Sequence, residues 1–249
     1  MRSRLQHRSL RRVAVALGLV AAALVGTVGP TAASAGAGSG SGSGSGSGAA
    51  IYTTDFSDPA ATSTEWGFQD GATTETGDGY TLAATPGAFT VSLDGIANLW
   101  VSPEAGSLPV DQVVTATIAK ATGDSSVQAG VVCRGSLEND QGYGFVIATD
   151  GYYTIGSFAG PGAKRLVNAE GAKRTNAIDP AGPNTIRGRC TSIGKKRVRL
   201  TLFVNDRKVA SVVDRTSQSK IGPDAYLLTE VAKGRPATVT FASFAISAA

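Results

Sequence analysis

From about residue 51 onward, apolar and polar residues alternate in short runs, and no stretch keeps a helical period for three turns. The runs predict strands near 51–56, 64–69, 79–84, 87–93, 97–101, 111–119, 127–134, 142–149, 152–158, 164–168, 184–191, 196–205, 207–214, 225–231 and 237–247. Between them lie turn residues such as Asp70-Gly71, Gly77-Asp78-Gly79 and Gly160-Pro161-Gly162. Many short strands separated by such turns predict an all-β domain, a two-sheet antiparallel sandwich of jelly-roll type.

Two hairpins set the expected faces. Asp150-Gly151 separates two β-rich runs and predicts a two-residue turn. Thr149 then opposes Tyr152, and Phe145 opposes Gly156. One face carries Tyr143, Phe145, Ile147, Tyr152 and Phe158; the other carries Val146, Ala148, Tyr153, Ile155 and Ser157. Either both faces are covered, or the second is an open platform with Tyr153 on it. Asn205-Asp206 predicts a second two-residue turn. It places Val198, Leu200, Leu202 and Val204 on the core face with Val209, Ser211 and Val213. Arg197 then faces Asp214, an ion pair worth a few tenths of a kcal/mol.

The N-terminus reads differently. Residues 1–12 hold five arginines and no acid, Val13 to Val25 is apolar, and Ala33-Ser34-Ala35 has the form of a cleavage site. We expect a signal peptide over 1–35, a flexible Gly/Ser-rich linker over 36–50, and one β-sandwich domain over 51–249. The expected location is secreted, extracellular or in the cell envelope. Without residues 1–35 the chain carries 18 Lys and Arg against 19 Asp and Glu, and it loses the lone histidine, His7. Histidine-based catalysis and ordinary zinc chemistry are then excluded.

Two cysteines in an exported chain, Cys133 and Cys190, predict one disulfide. With both sulfurs inward, Arg134 points outward beside one cysteine, and Arg187 and Arg189 beside the other. Arg197 and Arg199 join them from the second hairpin. The candidate is an anion- or sugar-binding face of Arg134, Arg187, Arg189 and Arg199, with Tyr153 and Phe203 as apolar contacts, since guanidinium groups grip carboxylate and phosphate through paired hydrogen bonds. The alternative is a solvated face neutralised by Glu138, Asp140 and Asp214.

The segments DFSDP…W at 55–66, GDGYTL at 77–82, GVVCR at 130–134, YGFVIATDGYY at 143–153, NTIRGRC at 184–190 and LTLFVNDRKVASVVD at 200–214 carry a family likeness. Over nearly the whole domain the chain resembles secreted actinobacterial members of the concanavalin A-like lectin/glucanase superfamily, of the laminin G-like and 3-keto-disaccharide hydrolase-like kinds. The resemblance implies a jelly roll that often binds carbohydrate. Such domains often end in F-D-x-F; Phe241-Ala242-Ser243-Phe244 lacks the acid, which weakens a calcium site there. Asp55 and Asp58 are read as capping the first turn, so no metal is expected.

Glucanases of that superfamily carry E-x-D-x-x-E on one strand, and no such run occurs here. Glu65 and Asp70 flank a turn, and Glu138 and Asp140 lie in a loop. No phosphate-binding loop or dinucleotide fingerprint is present, and no cofactor is expected. Nucleic acid is disfavoured by the charge balance and the exported address. The leading reading is a non-catalytic, monomeric module that binds a polysaccharide or cell-wall polymer. A structural or protein-interaction domain and a glycoside hydrolase-like enzyme are the alternatives.

Overall fold

The computed structural model describes Val13–Ala14 and residues 48–249, except 69–71, 125, 137–140, 160–162, 170, 172 and 216–221. The expected signal peptide and linker lie outside the described residues apart from Val13–Ala14 and 48–50, as do Asp70, Glu138 and Asp140.

Two antiparallel sheets face each other. Sheet A runs, in spatial order, β1 (Val13–Ala14), β6 (Asn98–Val101), β15 (Asp224–Glu230), β8 (Gln128–Ser136), β9 (Gln141–Ile147), β10 (Tyr153–Ala159) and β11 (Ala163–Val167). Sheet B runs β14 (Arg207–Asp214), β13 (Val198–Val204), β12 (Asn184–Ser192), β7 (Gln112–Gly123), β16 (Ala237–Ala248), β5 (Ala88–Leu93), β4 (Tyr80–Thr85) and β3 (Thr74–Gly77). β2 (Ala50–Thr54) pairs with the far half of β16. The fold is the expected two-sheet antiparallel sandwich, with two additions and one replacement. Strands β1 and β3 were not foreseen, and the helix α1 (Pro59–Glu65) runs where a strand was expected to start at 64.

Local chemistry explains the helix. Asp58 accepts hydrogen bonds from the amides of Ala60 at 2.9 Å and Ala61 at 3.1 Å, and Pro59 occupies the first helical position, where its missing N–H costs nothing. Asp58 therefore caps, as expected. Asp55 accepts from the Ser57 amide at 2.9 Å. Beyond the helix, Phe56, Trp66, Phe89 and Phe244 pack ring against ring, with centroids 4.7–5.7 Å apart. Phe241 and Phe244 are three residues apart yet both fully buried. The register of β16 shifts between Phe241 and Ser243, so one extra residue turns both rings inward.

The disulfide joins Cys133 on β8 to Cys190 on β12, with Cα atoms 6.4 Å apart. It therefore crosses between the layers rather than linking strands within one sheet. Both cysteines are fully buried in the main core.

Candidate functional site

The crossing of the disulfide decides where the predicted arginines go. Residues flanking Cys133 lie on sheet A and those flanking Cys190 on sheet B, so outward from one is away from the other. Arg134 cannot share a face with Arg187 and Arg189. It is also not outward: the register of β8 shifts between Cys133 and Ser136, Arg134 has φ 52°, and it is only 4% exposed. Its guanidinium pairs with Asp111, and its amide donates to the Gln112 side chain at 3.0 Å. Asp111 also accepts from the Ser192 hydroxyl at 2.7 Å. Burial opposes ionisation of Asp111, but these bonds outweigh it and hold the carboxyl below the usual range. Arg134 is thus a structural clamp beside the disulfide, not a ligand contact.

Tyr153 is corrected too. The Asp150-Gly151 turn holds three residues, not two. The Ala148 amide donates to the Tyr152 carbonyl at 3.0 Å, Gly151 takes φ 87°, and Tyr153 opposes Ile147. The one-residue slip sends Tyr153 and Ile155 into the core, and Tyr152, Thr154 and Phe158 to the outside. Tyr153 is no platform.

Arg187, Arg189, Arg199 and Phe203 do share the outer face of sheet B. Arg187 opposes Phe203, Arg189 opposes Thr201, and Thr191 opposes Arg199. The Arg187 guanidinium lies 4.6 Å from the Phe203 ring centre and 3.5 Å from Asp206. Asp214 does not join them. A bulge at Val209 reverses the far half of β14 and turns Asp214 into the sandwich opposite Val198, so the Arg197–Asp214 pair does not form.

A different face carries the denser chemistry. The strand registers of sheet A align a transverse row on its outer side. Asn98 opposes Glu230, Glu230 opposes Gln128, Ala148 lies next in line, and Tyr152 bridges to Arg174. Residues directly opposite one another in antiparallel strands share a face. Arg165, opposite Gly156, brings a second guanidinium. The Tyr152 ring has the Arg174 guanidinium 5.3 Å and the Arg165 guanidinium 5.9 Å from its centre. Asp150 fixes Arg174 through a 2.9 Å ion pair. Among the described residues the buried Tyr152 hydroxyl has no hydrogen-bond partner, a state that costs about 1–3 kcal/mol. Burial pushes its phenol up, with Arg165 pulling the other way.

Glu230 is the acid of this row. Burial pushes its carboxyl up to about 7, and Arg165 opposes the shift. Part of its surface stays open, as with Gln128, Arg165 and Phe158.

Beside the row sits a second apolar cluster, outside the main core: Trp100, Val132, Val146, Tyr226 and Leu228, with Phe158 against them. Trp100 meets Phe158 edge to face at 4.8 Å. The sheet beneath is glycine where rings lie on it. A Cβ at Gly142 would come 2.7 Å from Val132, and one at Gly144 would come 2.7 Å from Phe158. The signal in the sequence was Gly142-Tyr143-Gly144, an alternation of glycine on one face with a core aromatic on the other. It pointed to a bare face needing rings from elsewhere.

No family model matches the chain, and no curated protein does. Solved structures are similar in outline. A carbohydrate-binding module from Bacillus subtilis is 15% identical, with a TM-score of 0.47 over 67% of this chain and 90% of that one. The alginate lyase Aly36B is 10% identical, with 0.46 over 81% and 92%. The Emp47p carbohydrate recognition domain is 15% identical, with 0.40 over 83% and 99%. At these values the likenesses add nothing to what the strand pairing already establishes.

Proposed function

We propose that the chain is an exported, non-catalytic carbohydrate-binding module whose site is the outer face of sheet A. This moves the site from the arginine face expected from the sequence. The observation that carries the reading is the Tyr152 phenol: buried, unpartnered and flanked by two guanidiniums, in line with the amide of Gln128 and the carboxyl of Glu230. Sugar hydroxyls both donate and accept, and this row offers both kinds of partner. Phe158, buttressed by Trp100, supplies a half-buried ring for the apolar side of a pyranose. The two guanidiniums favour a sugar that carries a carboxylate over its neutral counterpart.

Glu230 and Asp224 are not spaced as a hydrolytic pair. They lie six residues apart on β15, on the order of 20 Å, whereas glycoside hydrolysis uses pairs about 5–10 Å apart. Export is supported by the sequence of residues 1–35 and by the buried disulfide. Among the described residues no helix is long and apolar enough to cross a membrane. Calorimetric titration of the purified protein with short neutral and uronic-acid oligosaccharides tests the reading. Heat of binding with at least one of them supports it, and flat titrations throughout refute it.

A further inference from the structure

We infer that the outer face of strands β12 to β14 is a second, electrostatic surface that docks a linear acidic polysaccharide. The charge distribution is the first ground. Residues 187–208 hold eight Lys and Arg against one acid, Asp206, a net of +7 in 22 positions. The rest of residues 36–249 holds ten bases against eighteen acids, a net of −8. A domain that is near neutral in total is thus strongly polarised, and its basic side attracts polyanions over a Debye length of about 8–10 Å.

Placement is the second ground. Arg187 and Arg189 stand on β12 about 6.6–6.8 Å apart, and Arg199 follows one row further on the neighbouring strand β13. Lys208 opposes Phe203 and extends the Arg187 row onto β14. Of these four, Arg187 meets an acid, while among the described residues Arg189, Arg199 and Lys208 meet none. Sheet edges are often guarded by basic residues against unwanted pairing, which accounts for Arg207 and Lys208 on the edge strand β14. It does not account for Arg187 and Arg189, which lie two strands in from that edge.

The neighbours of the arginines choose among polyanions. Thr191 and Ser211 stand between them on the same face with hydroxyls open to a sugar chain, while the buried Thr201 hydroxyl is bonded to Ser211 at 3.0 Å. Phe203, the ring on this patch, is already covered by Arg187, so it offers no platform for the stacked bases that single-stranded nucleic acid needs. The large hydrophobic residues exposed elsewhere, Ile51 and Val110, are not on it, so nothing there inserts into a lipid surface. A guanidinium-studded strip with the Thr191 and Ser211 hydroxyls between the cations suits an extended carboxylated glycan.

Affinity electrophoresis through gels containing polygalacturonate, neutral dextran or polyphosphate tests this. The purified protein should be slowed by polygalacturonate, not by dextran, and released as salt screens the contact, by about tenfold in affinity between 50 and 500 mM. R189E/R199E should weaken polymer binding about tenfold or more while still titrating with short oligosaccharides at the sheet A site. Arg165→Ala should do the reverse, so failure of one surface is distinguishable from failure of the other. If R189E/R199E does not fold, K195E/K196E, on the exposed turn between β12 and β13, should weaken retardation at least threefold. Retardation unchanged in the folded variants, or stronger retardation by polyphosphate than by polygalacturonate, overturns the inference.

Discussion

The Tyr143 hydroxyl donates to the Asp214 carboxylate at 2.8 Å, inside the sandwich, tying β9 of one sheet to β14 of the other. Burial, then the carboxylate, push the Tyr143 phenol up, so it remains a donor well above its ordinary range. Tyr143→Phe removes the donor and keeps the ring. We expect a loss of about 2 kcal/mol in chemical denaturation, since hydrogen bonds to charged groups contribute about 1.5–3 kcal/mol. A loss below about 0.5 kcal/mol would show that the bond contributes little.

The Cys133–Cys190 bridge should stabilise mainly through the unfolded chain. Their separation is 57 residues, and the double change to alanine should cost about 2–4 kcal/mol. Because both sulfurs are fully buried, reductant should leave the native protein oxidised until denaturant opens it. Thiol titration with and without denaturant reads both points.

Much of the fold was legible, and the errors about which face a side chain takes within its own strand share one cause. The alternation gave nearly every strand, and two cysteines gave the bridge. Asn205-Asp206 does form a two-residue turn, with φ of 49° and 60°. Yet Val209 bulges three residues later; it still packs on the core, but beyond it Ser211 and Val213 turn outward and Ala210, Val212 and Asp214 turn inward. At Asp150-Gly151 one extra turn residue sent Tyr153 inward and Tyr152 outward. At Arg134 a bulge pulled a charged residue in. Side chains repeat every two residues along a strand, so each single-residue irregularity inverts a face. Periodicity finds strands but cannot see bulges, and the candidate site rested on faces.

Gly144 tests the packing under the candidate site. Gly144→Val places side-chain carbons where the Phe158 ring now lies. Overpacking of this kind costs about 1–3 kcal/mol, and oligosaccharide binding should fall with it. Wild-type stability in this variant would mean that the ring moves aside freely.

Glu230 sets a pH dependence in two readouts. Its carboxyl titrates near 7 in the folded protein and near 4.5 when unfolded. Between those values the folded state keeps a proton that the unfolded state has lost, so stability falls as pH rises through 4.5 to 7. The loss is on the order of 2 kcal/mol after allowing for its partly open surface. Glu230→Gln should flatten that slope. For a carboxylated sugar, binding should also tighten as pH drops from 8 to 6, because the neutral acid no longer repels the ligand. A pH-independent affinity in the wild type would remove Glu230 from the site.

The outer face of sheet A is tested most directly by titrating short uronic-acid oligosaccharides into the wild type, Tyr152→Phe and R165A/R174A. The account predicts saturable binding in the wild type, a loss of about tenfold when the phenolic hydroxyl is removed, and loss of the preference for acidic over neutral sugars in the arginine variant. Equal affinity in all three folded proteins would contradict it.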